Sequence, residues 1–215
     1  MSDRATVAAG TGGAVGGPQD DRAGEHRPRR APQARPEQIL DAATEILLTK
    51  GLLGMTMDEI AGTAGLAKGT TYLYFKSKAQ VLAALRIRHV QRMLEACTAA
   101  AAAGRPVPTI VRVERFVETV WDFTVANAPL LQLLFHEAGG DDGTEIGMTC
   151  DGLMVYVREG MASGEFAVRD PDTIVSFLVH GMHGAFASGL HGSPAARRDM
   201  LKSVKAVFRR QLLGD

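Results

Sequence analysis

The chain has 215 residues, 46% of them hydrophobic and 6% aromatic, with 24 basic and 24 acidic side chains and two cysteines, Cys97 and Cys150. That length carries one large domain or two small ones, and the cysteine count excludes a disulfide framework or zinc knuckle and fits a reducing cytoplasm. No window approaches the roughly 18 apolar residues of a membrane span, and the N-terminus lacks the apolar region of a secretory signal.

The zero net charge hides a split. Residues 27–90 hold ten Lys/Arg and five acids, whereas residues 91–215 hold twelve bases and fifteen acids. A basic module on an acidic body suits a protein that neutralises duplex phosphates.

Residues 1–34 are rich in Gly, Ala, Pro and Arg. They have too little apolar surface to offset ordering entropy, so a disordered tail is expected. Within it, Arg27-Pro28-Arg29-Arg30 reads as solvated tail rather than a minor-groove arm. A helix over 36–50 follows, with Pro36 in its first turn, Ile39, Ala42, Ala43, Ile46 and Leu47 at 3/4 spacing, and Gly51 as its stop. Thr56-Met57-Asp58-Glu59 is a capping box opening a short helix over 57–64. Gly65-Leu66-Ala67 breaks it, and a second short helix runs through Phe75. Ser77-Lys78-Ala79-Gln80 is another capping box and opens a long helix over 78–103. Further helices are expected over 107–127, 129–138, 144–163, 171–190 and 194–213, with Gly139–Gly143 as a loop. Nothing alternates with period two long enough to make a strand. The chain is therefore expected to be all-α: a tail (1–34), a three-helix head (35–80) and a larger helical body (81–215).

Two short helices joined by a Gly-containing turn have helix-turn-helix geometry. Ala61 and Ala64 let the helices approach, Gly65 permits the turn, and Leu66 and Phe75 plug the space between. Outward on the second helix lie Lys68, Thr70, Thr71, Tyr72 and Tyr74. Lysine can reach guanine or phosphate, threonine can hydrogen-bond a base edge or touch a thymine methyl, and tyrosine hydroxyls can bind phosphate. Thr56 and Lys78, at helix N-termini, favour phosphate, and Gly69 leaves room for the DNA backbone.

The run from Thr56 to Lys78, with Ile39-Leu40-Asp41-Ala42-Ala43 and Lys50-Gly51 before it, resembles the signature of the tetracycline-repressor (TetR) family. The resemblance covers residues 35–85. It implies an all-helical homodimer with a small-molecule pocket in its C-terminal domain, and repression that a ligand relieves. Carried over by position, it puts Thr56, Tyr72, Tyr74 and Lys78 on phosphate, and Lys68, Thr70 and Thr71 on base edges. Two positions depart from the pattern: Thr71 stands where an apolar residue is common, and Leu73 where a polar or aromatic one is.

In the body, Ile174, Leu178, Gly181, Ala185 and Ser188 share one helix face, and Leu201, Val204, Val207, Phe208 and Leu212 form a stripe on the next helix. Paired with symmetry mates they would form a homodimer interface and dictate a palindromic operator on double-stranded DNA. Trp121, Phe123, Leu134, Phe135, Met148, Met154, Tyr156, Phe177 and Met182 can wall a pocket for a small apolar or aromatic effector, with His136, His180 and His183 as polar candidates. His180 and His183, three residues apart, share a helix face, but a pair without a third ligand does not make a metal site. No cofactor is expected. Glu137, Asp141, Asp142 and Glu145 read as a solvated loop cluster. Without a phosphate loop, nucleophile elbow or acid–base set, the chain does not read as an enzyme. The main reading is a cytoplasmic, ligand-released repressor, and the alternative is a ligand-independent architectural DNA-binding factor.

Overall fold

The computed structural model describes residues 34–137 and 143–214, except the side chains of Ala34, His136 and Glu137; all belong to the unit Pro32–Asp215. The expected tail and its arginine cluster lie outside the described residues. Among those described there are nine α-helices and no strand.

Helix α1 (Ala34–Gly54) is bent at Gly51, whose φ of 69° is a left-handed conformation open to glycine. The helix expected to stop there resumes for a few residues beyond the bend. Helix α2 (Met57–Thr63) starts on Thr56, whose hydroxyl accepts from the Glu59 N–H at 3.2 Å. The Glu59 carboxylate, however, pairs with Lys50 rather than completing the capping box. Gly65, with φ 64°, turns the chain into α3 (Lys68–Tyr74). Helix α4 (Lys78–Ala102) is capped by Ser77, which accepts from Gln80 N–H at 3.3 Å.

The remaining helices are α5 (Thr109–Ala126), α6 (Ala128–Leu131), α7 (Thr144–Ala162), α8 (Pro171–Gly189) and α9 (Pro194–Leu213). The helix expected over 129–138 is corrected: α6 is a single turn and continues as a π-helical segment, Gln132–Glu137. Pro129 in the first turn explains the start, but periodicity does not distinguish a π from an α turn. The two N–H groups opening α5, Thr109 and Ile110, donate to Glu165 at 2.7 and 2.9 Å, so a carboxylate from beyond α7 closes that end.

Two apolar cores fill the unit. One joins Ile39, Ile46 and Leu47 of α1 to Met57 and Ile60 of α2, with Leu66, Tyr72 and Phe75 packed against it. The other joins α4, α5, α7, α8 and α9 around Phe116, Leu153, Val179, Met182 and Phe208. Helix α4 serves both: Val81, Leu82 and Leu85 enter the first core, and Val90, Met93 and Cys97 the second. Leu134 of the π segment also packs in the first core. Both cysteines are free thiols, and burial pushes Cys97 up to about 12, so it packs as a small neutral group.

Between the two runs of α4 lie Arg88 and His89, both buried. The Arg88 guanidinium grips α1. It donates to Asp41 Oδ1 at 2.8 Å, Glu37 Oε2 at 3.2 Å, the Leu40 carbonyl at 3.0 Å and Thr44 Oγ1 at 2.9 Å. A planar fork can satisfy four acceptors on one helix face, which a lysine could not.

Candidate nucleic-acid interface and ligand cavity

The face presented by α3 follows from what the head core takes. Ala61 and Ala64 are buried where the helices meet, as their size anticipates. Lys68, Gly69 and Tyr74 are exposed, and Thr70 and Tyr72 are half-buried, with Tyr72 against the head core. A Cβ built on Gly69 would meet no described atom within 4 Å, so its surface is open to a backbone approaching from outside.

Thr71 requires correction. It is 0% exposed and its hydroxyl has no hydrogen-bond partner among the described residues, so it cannot reach a base edge. It occupies the core side of a helix whose other face is Leu73, 73% exposed. Polarity and position are exchanged: the polar residue is inside and the apolar one outside. Leu73 was not anticipated on the exposed face because its type suggests burial.

The cations of the head are less available than their count suggests. Lys68 Nζ lies 2.7 Å from Asp58 Oδ1, and this contact raises its pKa. An exposed pair of this kind is screened by solvent and weak, so a phosphate or guanine can displace it. The Lys78 ammonium donates to the Leu52 carbonyl at the end of α1, and Lys76 Nζ to the Tyr72 carbonyl at 2.7 Å. Arg88, counted in the basic module, is spent on α1. Arg86 lies 2.9 Å from Glu145. Thr56 is exposed beside the α2 N-terminus, its hydroxyl already accepting from Glu59.

In the body, α4, α5, α6, the π segment, α7 and α8 line a half-open cavity of about 220 Å³ with mainly apolar walls. His89 and Met93 line it from α4, Phe135 from the π segment, Glu145 and Ile146 from α7, and His183 and Phe186 from α8. Of the expected pocket residues, only Phe135 and His183 face it. His136 lies outside the described side chains. Trp121 is core, packed at a tilt against Phe186 with ring centroids 5.0 Å apart, and Met182 is core as well. Met148 and Met154 are half-buried on that core. Phe177 is 66% exposed and His180 is exposed, with His180 Nδ1 bonded to the Ser176 carbonyl at 2.7 Å. His180 and His183 therefore face different surroundings: three residues along a helix turn the side chain by about 300°, and here that step crosses the edge of the buried face.

Glu145 is likewise corrected. Read as loop surface, it is 6% exposed, because α7 begins at Thr144 and its first turn faces α4. His89 was not anticipated at all. Its ring packs edge-on to Phe123 at 4.9 Å and near Phe135 at 6.4 Å. Burial, aided by the nearby Arg92 charge, lowers its pKa to about 4. His89 also lines a second cavity of about 230 Å³, shared with Thr44 and Leu48 of α1, Arg88, Phe123 and Leu130. One imidazole thus stands between the body cavity and the seam with α1.

The expected dimer residues divide. Leu178 and Phe208 are buried in the body core, at 2% and 1% exposed, so they serve the protomer rather than an interface. Ile174, Ala185, Leu201 and Val204 are half-buried, and Gly181 and Ser188 exposed. With exposed Phe177 and Val207, Gly181, Ala185 and Val204 rim an apolar groove along α8 and α9, with Leu178, Met182 and Phe208 on its floor.

Residues 39–85 match the family described as bacterial regulatory proteins, tetR family. The fatty acid metabolism regulator protein of Bacillus subtilis (strain 168) is 46% identical over 55 residues, 25% of this chain and 28% of that one. The transcriptional activator FasR of Mycolicibacterium smegmatis is 31% identical over 113 residues, 52% of this chain and 51% of that one. The matched stretch thus spans about half or less of these relatives. The solved fatty acid degradation regulator FadR of Bacillus halodurans superposes with a TM-score of 0.59 at 21% identity, over 83% of this chain and 98% of that one, which shows the shared fold.

Proposed function

We propose that this chain, whose residues 39–85 match the tetR family of bacterial regulatory proteins, is a DNA-binding transcriptional regulator and acts as a repressor. On this reading it binds a palindromic double-stranded operator as a homodimer, and a small apolar effector in the body cavity releases it. The carrying observation is the double membership of α4: His89 lines the effector cavity, and Arg88, next in the chain, holds α1 of the head.

Residues 35–80 are the reading head, with Lys68, Thr70 and Leu73 toward bases, and Thr56, Tyr72, Tyr74 and Lys78 toward phosphate around an open Gly69. Residues 81–215 bind the effector and the second copy. The groove on α8 and α9 supports the two-fold pairing, since its small residues Gly181 and Ala185 let a partner helix approach. An effector that fits better when His89 and Phe135 shift moves α4, and Arg88 transmits that movement to the head. The shift extends only as far as the effector's differential affinity for the two forms. Two relatives are named for fatty acid metabolism or degradation, which supports an apolar effector. FasR is named an activator; the same head and switch can activate if the operator lies where occupancy helps transcription.

Footprinting of the purified protein on the DNA upstream of its own gene tests this reading. A protected inverted repeat, lost on mild extraction-reversible addition of an apolar effector, is expected. Absence of protection at low salt would contradict it.

A further inference from the structure

The cavity's charges say what kind of molecule it takes. Glu145, on the cavity wall, is answered by Arg86 of α4 at 2.9 Å, and the two side chains are only 7% and 11% exposed. Each charge is thus already answered within the protein. His89, the other titratable group on the α4 wall, is neutral at physiological pH and makes ring contacts without a hydrogen bond to any described residue. Its imidazole nitrogens can therefore serve one hydroxyl or carbonyl of a guest. Thr124 donates to the Val120 carbonyl at 2.7 Å, so its proton is committed. His183 Nδ1 is bonded to the Val179 carbonyl at 3.0 Å. The other walls named above are apolar. Among the described residues no uncommitted opposite charge faces a guest ion, so the hydration it gives up on entering costs far more than that of a neutral polar group. Size follows similarly: a cavity of about 150 Å³ holds benzene, so about 220 Å³ holds roughly nine heavy atoms on the same scale.

We propose that this cavity takes an uncharged, largely apolar molecule of roughly nine heavy atoms carrying one hydroxyl or carbonyl, and rejects the ionised carboxylate or ammonium of the same size. This rests on the reading of the cavity as the effector site.

The test titrates the full chain at pH 7.5 with 1-octanol, octanoate and octylamine, following Trp121, the only tryptophan, which packs against the cavity-lining Phe186. Octanol is expected to bind at least about tenfold more tightly than either ion, a difference of about 1.4 kcal/mol. Ile146→Phe, which narrows the cavity without adding a second tryptophan to the readout, should weaken octanol binding at least about tenfold. Equal or tighter binding of either ion by the wild type overturns the proposal. If none of the three binds, or Ile146→Phe leaves octanol affinity unchanged, the effector-cavity reading itself fails.

Discussion

The head and the body of this chain are built by different rules. In the head, the decisive contacts are short in sequence: Thr56 caps the turn that Glu59 begins, Ala61 and Ala64 meet α1 and α3, and Gly65 makes the bend. In the body, the decisive contacts are long: Arg88 with Asp41, Arg86 with Glu145, His89 with Phe123 and Phe135. The head thereby holds a fixed polar face, while the body lines a half-open cavity and places buried polar groups beside it. Polar groups of that kind destabilise when unpaired and respond to pH or ligand, which suits a part that switches rather than one that reads.

The comparison can be broken at specific residues. The largest effect belongs to His89. Its folded-state pKa of about 4 lies below its ordinary 6.5. Between those values the unfolded chain binds the proton and the folded chain does not, so stability falls as pH drops through that window. The loss reaches about 3 kcal/mol near pH 4. Thermal unfolding from pH 7.5 to pH 4 should show it, and His89→Leu should lose that part of the pH dependence. Next comes Arg88→Met, which removes the grip on α1 and should cost about 2 kcal/mol by urea unfolding. It should also weaken the response of DNA affinity to effector; a variant that switches as well as the wild type would remove Arg88 from the coupling path. Thr56→Ala should cost about 1 kcal/mol through the lost cap, and hydrogen exchange should localise the loss to α2 and α3. The smallest effect has the opposite sign. Thr71→Val replaces a buried, unpartnered hydroxyl with a methyl and should stabilise the head by up to about 1 kcal/mol. DNA affinity should be unchanged, whereas a clear loss would return Thr71 to the reading face.

The same contrast explains what could be read in advance. Helix starts at Thr56 and Ser77 were legible, because a cap is a local chemical event and each hydroxyl is found accepting the expected N–H. The helix-turn-helix was legible for the same reason. The departure at Thr71 was visible as a polar residue in an apolar register, but its burial depends on how α3 packs against α2. Arg88 counted as DNA-facing charge and Glu145 as loop surface, since neither partner, 47 and 59 residues distant, is signalled by local pattern. His89 carries no sequence signal at all. It lies on α4 where one core ends and the other begins, and only the packing of α1, α5 and the π segment around it makes it a cavity wall. Periodicity named the apolar face of α8 but could not divide it between the core, which took Leu178, and the outer groove, which kept Gly181 and Ala185.

The central claim is that α3 and its flanking turns read duplex DNA as one half of a two-fold assembly. Selection of bound sequences from a random double-stranded library by the purified full chain tests it most directly. The account predicts enrichment of an inverted repeat whose half-sites lie one helical turn or a multiple apart, with enrichment lost when Lys68 and Tyr74 are both replaced by alanine. No enrichment, or an enriched motif that survives that double replacement, would contradict it.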